Sequence, residues 1–183
     1  MDYRLTTDLS RSLRLPMGVV STDASNCYDR ICHIIMSLLL LSITGWQGAI
    51  AALLLPIQTM KFFQRTGLGD SSTYMGGPGL RLPLQGLCQG NGAAPACWLM
   101  ICSVLMHCYL RQGHGARFAG PISRKVLKTI GTLFVDDTDL HVFNNTFKTS
   151  EEVFEEMQRS TDTWCKLLNS TGGAAKPEKA PGG

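Results

Sequence analysis

Two carboxylates stand side by side among apolar residues in Leu133-Phe134-Val135-Asp136-Asp137-Thr138-Asp139-Leu140, and this stretch constrains the chain more than any other. Adjacent like charges repel, so a fold that sets them at the tip of a hairpin usually neutralises them with a divalent cation. Far upstream, Gly18-Val19-Val20-Ser21-Thr22-Asp23 is a second short, largely apolar run that ends in an acid. If the two runs are strands lying side by side, three carboxylates converge on one point. Such an all-oxygen cluster suits Mg²⁺ or Mn²⁺. By themselves, Asp136 and Asp137 read equally well as an acidic turn, because Asp is common in turns.

The chain has 183 residues, of which 44% are hydrophobic and 17% charged, values that belong to one globular domain spanning residues 1–183. A net charge of +3 does not announce a nucleic-acid binder, although basic residues collect between Arg111 and Lys128, as a solvated face or as a contact for a phosphate backbone. The seven cysteines include no Cys-x-x-Cys pair, and the N-terminus lacks the order of a signal peptide. Reduced thiols in an intracellular protein of nucleus or cytoplasm are expected, and the sequons at Asn144 and Asn169 then carry no weight. Cys97, Cys102, His107 and Cys108 lie in an apolar helical stretch without zinc-ligand spacing and read as core residues. Residues 31–60 contain no Asp, Glu, Lys or Arg, but Thr44-Gly45-Trp46-Gln47-Gly48 interrupts the run. Two core helices are expected there, with no membrane as partner.

The pattern predicts a helix before Pro16, a strand ending at Asp23, and a helix capped by Ser25 or Asn26 with Asp29 in its first turn, ending near Ser42 or Thr44. A second helix is expected over residues 47–63, kinked at Pro56, then a loop or ragged hairpin over 67–83 and a short strand over 84–88. Gln89-Gly90-Asn91-Gly92 reads as a loop feeding a helix from Ala94 to about Gln112, stopped by Gly113. The aspartate hairpin occupies 128–143. Ser150 opens a last helix with an apolar face of Val153, Phe154, Met157, Trp164, Cys165 and Leu168, ended by Gly172 and Gly173. This order predicts an α+β fold, an antiparallel sheet in a split βαβ (ferredoxin-like) layout covered by helices on one face.

Three blocks in order resemble the palm of a reverse transcriptase, most similar to those of non-LTR retroelements: Asp23-Ala24-Ser25-Asn26-Cys27-Tyr28-Asp29-Arg30, Gln89-Gly90-Asn91-Gly92-Ala93-Ala94-Pro95 and Phe134-Val135-Asp136-Asp137. The resemblance covers residues 17–179. It implies RNA-templated DNA synthesis, with dNTP substrates on an RNA template with a DNA primer, and two Mg²⁺ or Mn²⁺ ions stabilising the entering and leaving oxygens. Asp23 and Asp136 are the implied principal metal ligands and Asp137 a third, while Asp139 lies beyond the turn and reads as structural. Tyr28 is the implied block to the ribose 2′-hydroxyl, Gln89 and Gly90 approach the incoming nucleotide and template base, and Lys179 assists proton transfer to the leaving pyrophosphate. The chain departs from the family with Lys176 where Asn is usual, Val135 where Ala is frequent and Cys27 where Ala is common. Fingers are expected to be largely absent and a thumb absent, which would weaken the grip on primer and template.

Two rival readings keep part of these observations. A palm without catalysis would bind nucleic acid or a protein partner. A metal-dependent glycosyltransferase would use Asp137-Thr138-Asp139 as an Asp-x-Asp motif, but it leaves Asp23 and the Gln89 loop unexplained.

Overall fold

The computed structural model describes residues 3–77, 85–119, 122–143, 146–147 and 149–176. They fall into two compact units, one built from residues 1–27 and 102–183 and the other from residues 28–101. Both are α+β, and among the described residues every strand pairing is antiparallel.

The first unit opens with α1 (Tyr3–Leu13), which stops where Arg14 turns left-handed at φ 52° and Pro16 follows. Strand β1 is Gly18–Asp23, as the sequence predicts. Further along the chain β4 (Ala116–Ala119) pairs with β5 (Val126–Thr129), and β6 (Gly131–Phe134) pairs with β7 (Asp137–Val142). The central sheet has the order β1-β7-β6, so the second arm of the aspartate hairpin is sandwiched between its own partner and the upstream strand. Its alternation is regular. Val20, Thr22, Thr138, Leu140 and Val142 are buried on one face, against which α5 (Ser150–Ser170) packs. A Cβ added to Gly18 would collide with Met157 of α5, so glycine sets how closely helix and sheet approach. A second cluster of Ala116, Phe118 and Phe143 gathers Leu9, Leu15 and Met17, with the Phe118 and Phe143 rings stacked at 4.5 Å.

Helix α5 opens at Ser150, as the sequence predicts. Thr149 is the N-cap, accepting from Glu152 N while the Glu152 carboxylate accepts from Thr149 N, a complete capping box. Its buried stripe is Val153, Ser160, Thr161, Trp164 and Leu168, whereas Phe154, expected on the apolar face, is 68% exposed. Trp164 meets Tyr109 edge-on at 6.1 Å, and Tyr109 stacks on His114, whose ring nitrogens bond Glu156 and Thr163 of the same helix.

The helix predicted after Asp23 starts later than expected: a 3-10 turn, Cys27–Arg30, comes first, and α2 (His33–Thr44) follows in the second unit and ends where predicted. Asn26, offered as a cap, instead takes φ 50°. Gly45 closes α2 in the left-handed region and donates to Leu41 O, so the uncharged run is two helices, α2 and α3 (Gln47–Thr59), both shorter than a bilayer requires. Helix α3 ends at Thr59 rather than at Phe63: Pro56 removes a backbone donor, and Lys61, Phe62 and Phe63 pair as a strand instead. Strands β2 (Lys61–Thr66) and β3 (Gly69–Gly76) form the hairpin that the sequence left ragged. Of the strand expected over 84–88, residue 84 lies outside the described residues and residues 85–88 form no strand. Helix α4 (Ala94–Arg111) contributes its residues through Ile101 to this unit and the rest to the other. By length and composition α4 could cross a bilayer, and 44% of the helix is buried inside the structure. Burial raises the Cys97 thiol above its ordinary value and pushes Cys102 up to about 12, which holds both as protonated, apolar groups.

Candidate functional site

The register of the central sheet brings the acids to one end. Asp23, the last residue of β1, is the cross-strand partner of Asp137, the first residue of β7, and Ala24 N donates to Asp136 O at 2.9 Å. Directly opposed residues of an antiparallel pair project to the same face, so Asp23 and Asp137 share a side of the sheet. Asp136 sits in the two-residue turn between Phe134 and Asp137, where Val135 is held at φ 54°. A β-branched residue in that region is strained by roughly 1–3 kcal/mol, and the surrounding pairings hold it there. Asp139, two residues further along the same face, accepts from Ser21 Oγ at 2.6 Å, the structural part the sequence suggests for it.

The acids differ in surroundings. Asp137 is exposed and Asp136 half-buried, while the Asp23 side chain is only 8% exposed and accepts from Lys176 Nζ at 2.9 Å through Oδ2. Among the described residues no three His, Cys, Asp or Glu side chains are gathered closely enough to hold an ion. The strands thus align the acids in the backbone, and the positive charge beside Asp23 is an ammonium. The donor set is all oxygen, the kind hard divalent ions take, and the ammonium marks a spot where positive charge is accommodated.

A second group of predicted residues lies in the other unit. Leu87 N donates to Tyr28 O at 2.9 Å and Gly86 N to Ile31 O at 3.0 Å, so residues 85–88 are tied to the 3-10 turn and the residue after it by single bonds and not by a strand ladder. Gly86 explains why. Its φ is +86°, and a Cβ there would strike the backbone of Asp29. Gln89 and Gly90 follow as exposed residues and line a cavity of about 550 Å³ with Cys88, Asn91, Phe62 and the Pro56 end of α3. Asn91 forms the turn that leads into α4, its Oδ1 accepting from Ala93 N and its backbone oxygen from Ala94 N, both at 3.0 Å. Burial, with the nearby Asp29 charge, raises the Cys88 thiol.

Two residues beyond those expected from the motifs shape these sites. His33 donates from Nε2 to Gly86 O at 2.6 Å and accepts at Nδ1 from Gln58 Nε2 at 3.1 Å, while its backbone N–H donates to Gln85 Oε1 at 3.3 Å. Gly86 O can only accept, which fixes the proton on Nε2. A histidine heading an otherwise uncharged apolar run was the available signal. Lys176 is the other, visible in the sequence only as a departure from the family pattern. Lys179 lies outside the described residues.

No protein-family model matches the chain, and no curated protein matches it in sequence. Among solved structures it is similar to an apo telomerase from Candida tropicalis truncated from its C-terminal domain, with a TM-score of 0.53 and 12% identity over 97% of this chain. The chain spans 34% of that protein's length. At this identity the likeness is one of fold, and it agrees with the α+β arrangement of antiparallel sheets and helices described above.

Proposed function

We propose that this chain is the palm of a reverse-transcriptase-type polymerase of the non-LTR retroelement kind, joining dNTPs to a primer 3′-hydroxyl on an RNA template. The observation that carries the reading is the β1–β7 register, which sets Asp23 opposite Asp137 with Asp136 in the adjoining turn. Asp23, Asp136 and Asp137 would hold two Mg²⁺ or Mn²⁺ ions, which when bound supply charge stabilisation for the entering and leaving oxygens. Tyr28 would press on the sugar at the 2′ position, and Gln89 with Gly90 would border the nucleotide through exposed backbone. Lys179 would deliver a proton to the leaving pyrophosphate. Support for a phosphate-bearing partner comes from β4 and β5, where Arg117 and Lys128 are exposed cross-strand partners in a stretch, residues 111–130, without an acid. Like charges directly opposed weaken a hairpin, and an anionic backbone would offset them.

The test is primer extension on an RNA template with dNTPs and Mn²⁺. Asp136→Asn is expected to lower incorporation by more than about a hundredfold, as loss of a metal ligand does, and Tyr28→Ala to admit ribonucleotides. Primer–template binding with no incorporation at any metal concentration would overturn the catalytic reading and leave a palm that only binds nucleic acid.

A further inference from the structure

Asp23 is a buried carboxylate, and such a group is costly unless a positive charge answers it. Here the answer comes from Lys176, and not through the chance reach of a loose side chain. Residues 174–176 pair with the end of β1 around Asp23: Ser25 N donates to Ala174 O at 2.7 Å, Lys176 N donates to Asp23 O at 2.9 Å, and Ala24 bridges Ala175. This backbone pairing sets Lys176 beside Asp23 whatever its side chain does. The ammonium then lies 2.9 Å from Asp23 Oδ2, with the lysine side chain 43% exposed. The side chain thus holds the acid while part of it borders water.

We propose that Lys176 is a built-in stand-in for a divalent cation at Asp23, and that its ammonium must leave the carboxylate before an ion can bind there. The proposal rests on the reading of Asp23, Asp136 and Asp137 as metal ligands. A divalent ion carries twice the charge of the ammonium, and Asp23 and Asp137 face the same side of the sheet as cross-strand partners, so an ion shared between them prevails once its concentration is sufficient. The exchange is local. Because the side chain already borders water, the ammonium can turn outward while the pairing of residues 174–176 with β1 stays intact. Metal affinity is thereby set by a competition inside the chain, one that the Asn usual in the family would not provide.

The experiment is Mn²⁺ titration of the full chain by calorimetry, with acetylation of Lys176 followed by mass spectrometry against exposed Lys166 as an internal standard. Lys176→Met is expected to tighten Mn²⁺ by about five- to tenfold, the size of a partly exposed ion pair, while Lys176→Arg keeps the competition and the weaker affinity. In the unaltered chain, Lys176 acetylation is expected to rise as Mn²⁺ saturates. Equal affinity in wild type and Lys176→Met, with binding lost in Asp23→Asn, overturns the competition but leaves the metal reading standing. No Mn²⁺ binding in either protein overturns both. Should the methionine variant fail to fold, Lys176 reactivity that stays flat on Mn²⁺ saturation of the wild type overturns the proposal by itself.

Discussion

The aspartate tip and the Gln-Gly loop are both held against a neighbouring stretch of chain, yet by opposite means. Asp137 opens a strand paired on both sides, in register with β1 from Gly18–Val142 through Asp23–Asp137, and Asp136 sits in the tight turn that this strand closes. Loss of one side chain there leaves many bonds that still specify the same alignment, because a slip by one residue would turn every buried side chain outward. The Gln-Gly loop has no ladder. Two backbone bonds, one glycine and one histidine determine where residues 85–88 run. Redundant backbone pairing makes the acids robust, while the loop depends on a few irreplaceable contacts.

Gly86→Ala is the sharpest way to test that contrast. The new methyl group would meet the Asp29 backbone, which cannot swing aside as a flexible side chain would, and alanine would be strained at φ +86°. Together these are expected to cost about 3 kcal/mol. Denaturant unfolding would measure the loss, and hydrogen exchange at the Leu87 amide should accelerate while the amides of β7 keep their protection. Equal loss of protection in β7 would break the contrast.

His33→Ala should come next, at about 2 kcal/mol, since it leaves a buried carbonyl at Gly86 without its 2.6 Å donor and frees Gln58. His33→Gln would be expected to recover part of this if its amide reaches Gly86 O. The readout is the same unfolding experiment, and a cost under about 0.5 kcal/mol, the level of an ordinary surface change, would show that the glycine alone fixes the loop.

The same contrast explains what could be read in the sequence. Short apolar runs that end in acids read as strands, so β1 and the β6–β7 hairpin were legible, with their pairing only a condition for bringing the acids together, and the capped, periodic helix α5 was legible too. The stretch over 85–88 resembled a strand because Leu87 is apolar and buried, but its bonds go singly to Tyr28 and Ile31, a tertiary arrangement that no local period encodes. Helix α3 was read four residues too long because Phe62 and Phe63 continue an apolar run, and only pairing with Met75 and Tyr74 decides that they are strand. Phe154 misled for a related reason: helical spacing puts it beside Val153, while the sheet covers only the narrower stripe through Trp164 and Leu168. At the acids, the residue types were legible, but Lys176 as the partner of Asp23 was not, since it is set by pairing across most of the chain length.

The gentlest probe works on the robust side, through His141 in β7. Burial lowers its pKa from the ordinary 6.5, with the Asp139 charge opposing the shift more weakly. Below 6.5 the unfolded chain therefore binds a proton that the folded chain resists, so ν in the unfolded state exceeds ν in the native state and stability rises with pH. The contribution is complete above pH 6.5 and is lost as the pH falls from there toward the depressed native value. Unfolding free energies of the wild type should accordingly decline from pH 7.5 to pH 5 more steeply than those of His141→Phe, which keeps a buried ring and removes the titration. The comparison isolates one group because all other carboxylates and histidines are shared by the two proteins. Parallel pH profiles would mean that the β7 end of the sheet opens enough to hydrate His141 in the native state, and the register holding Asp23 to Asp137 would then be looser than its ladder bonds imply.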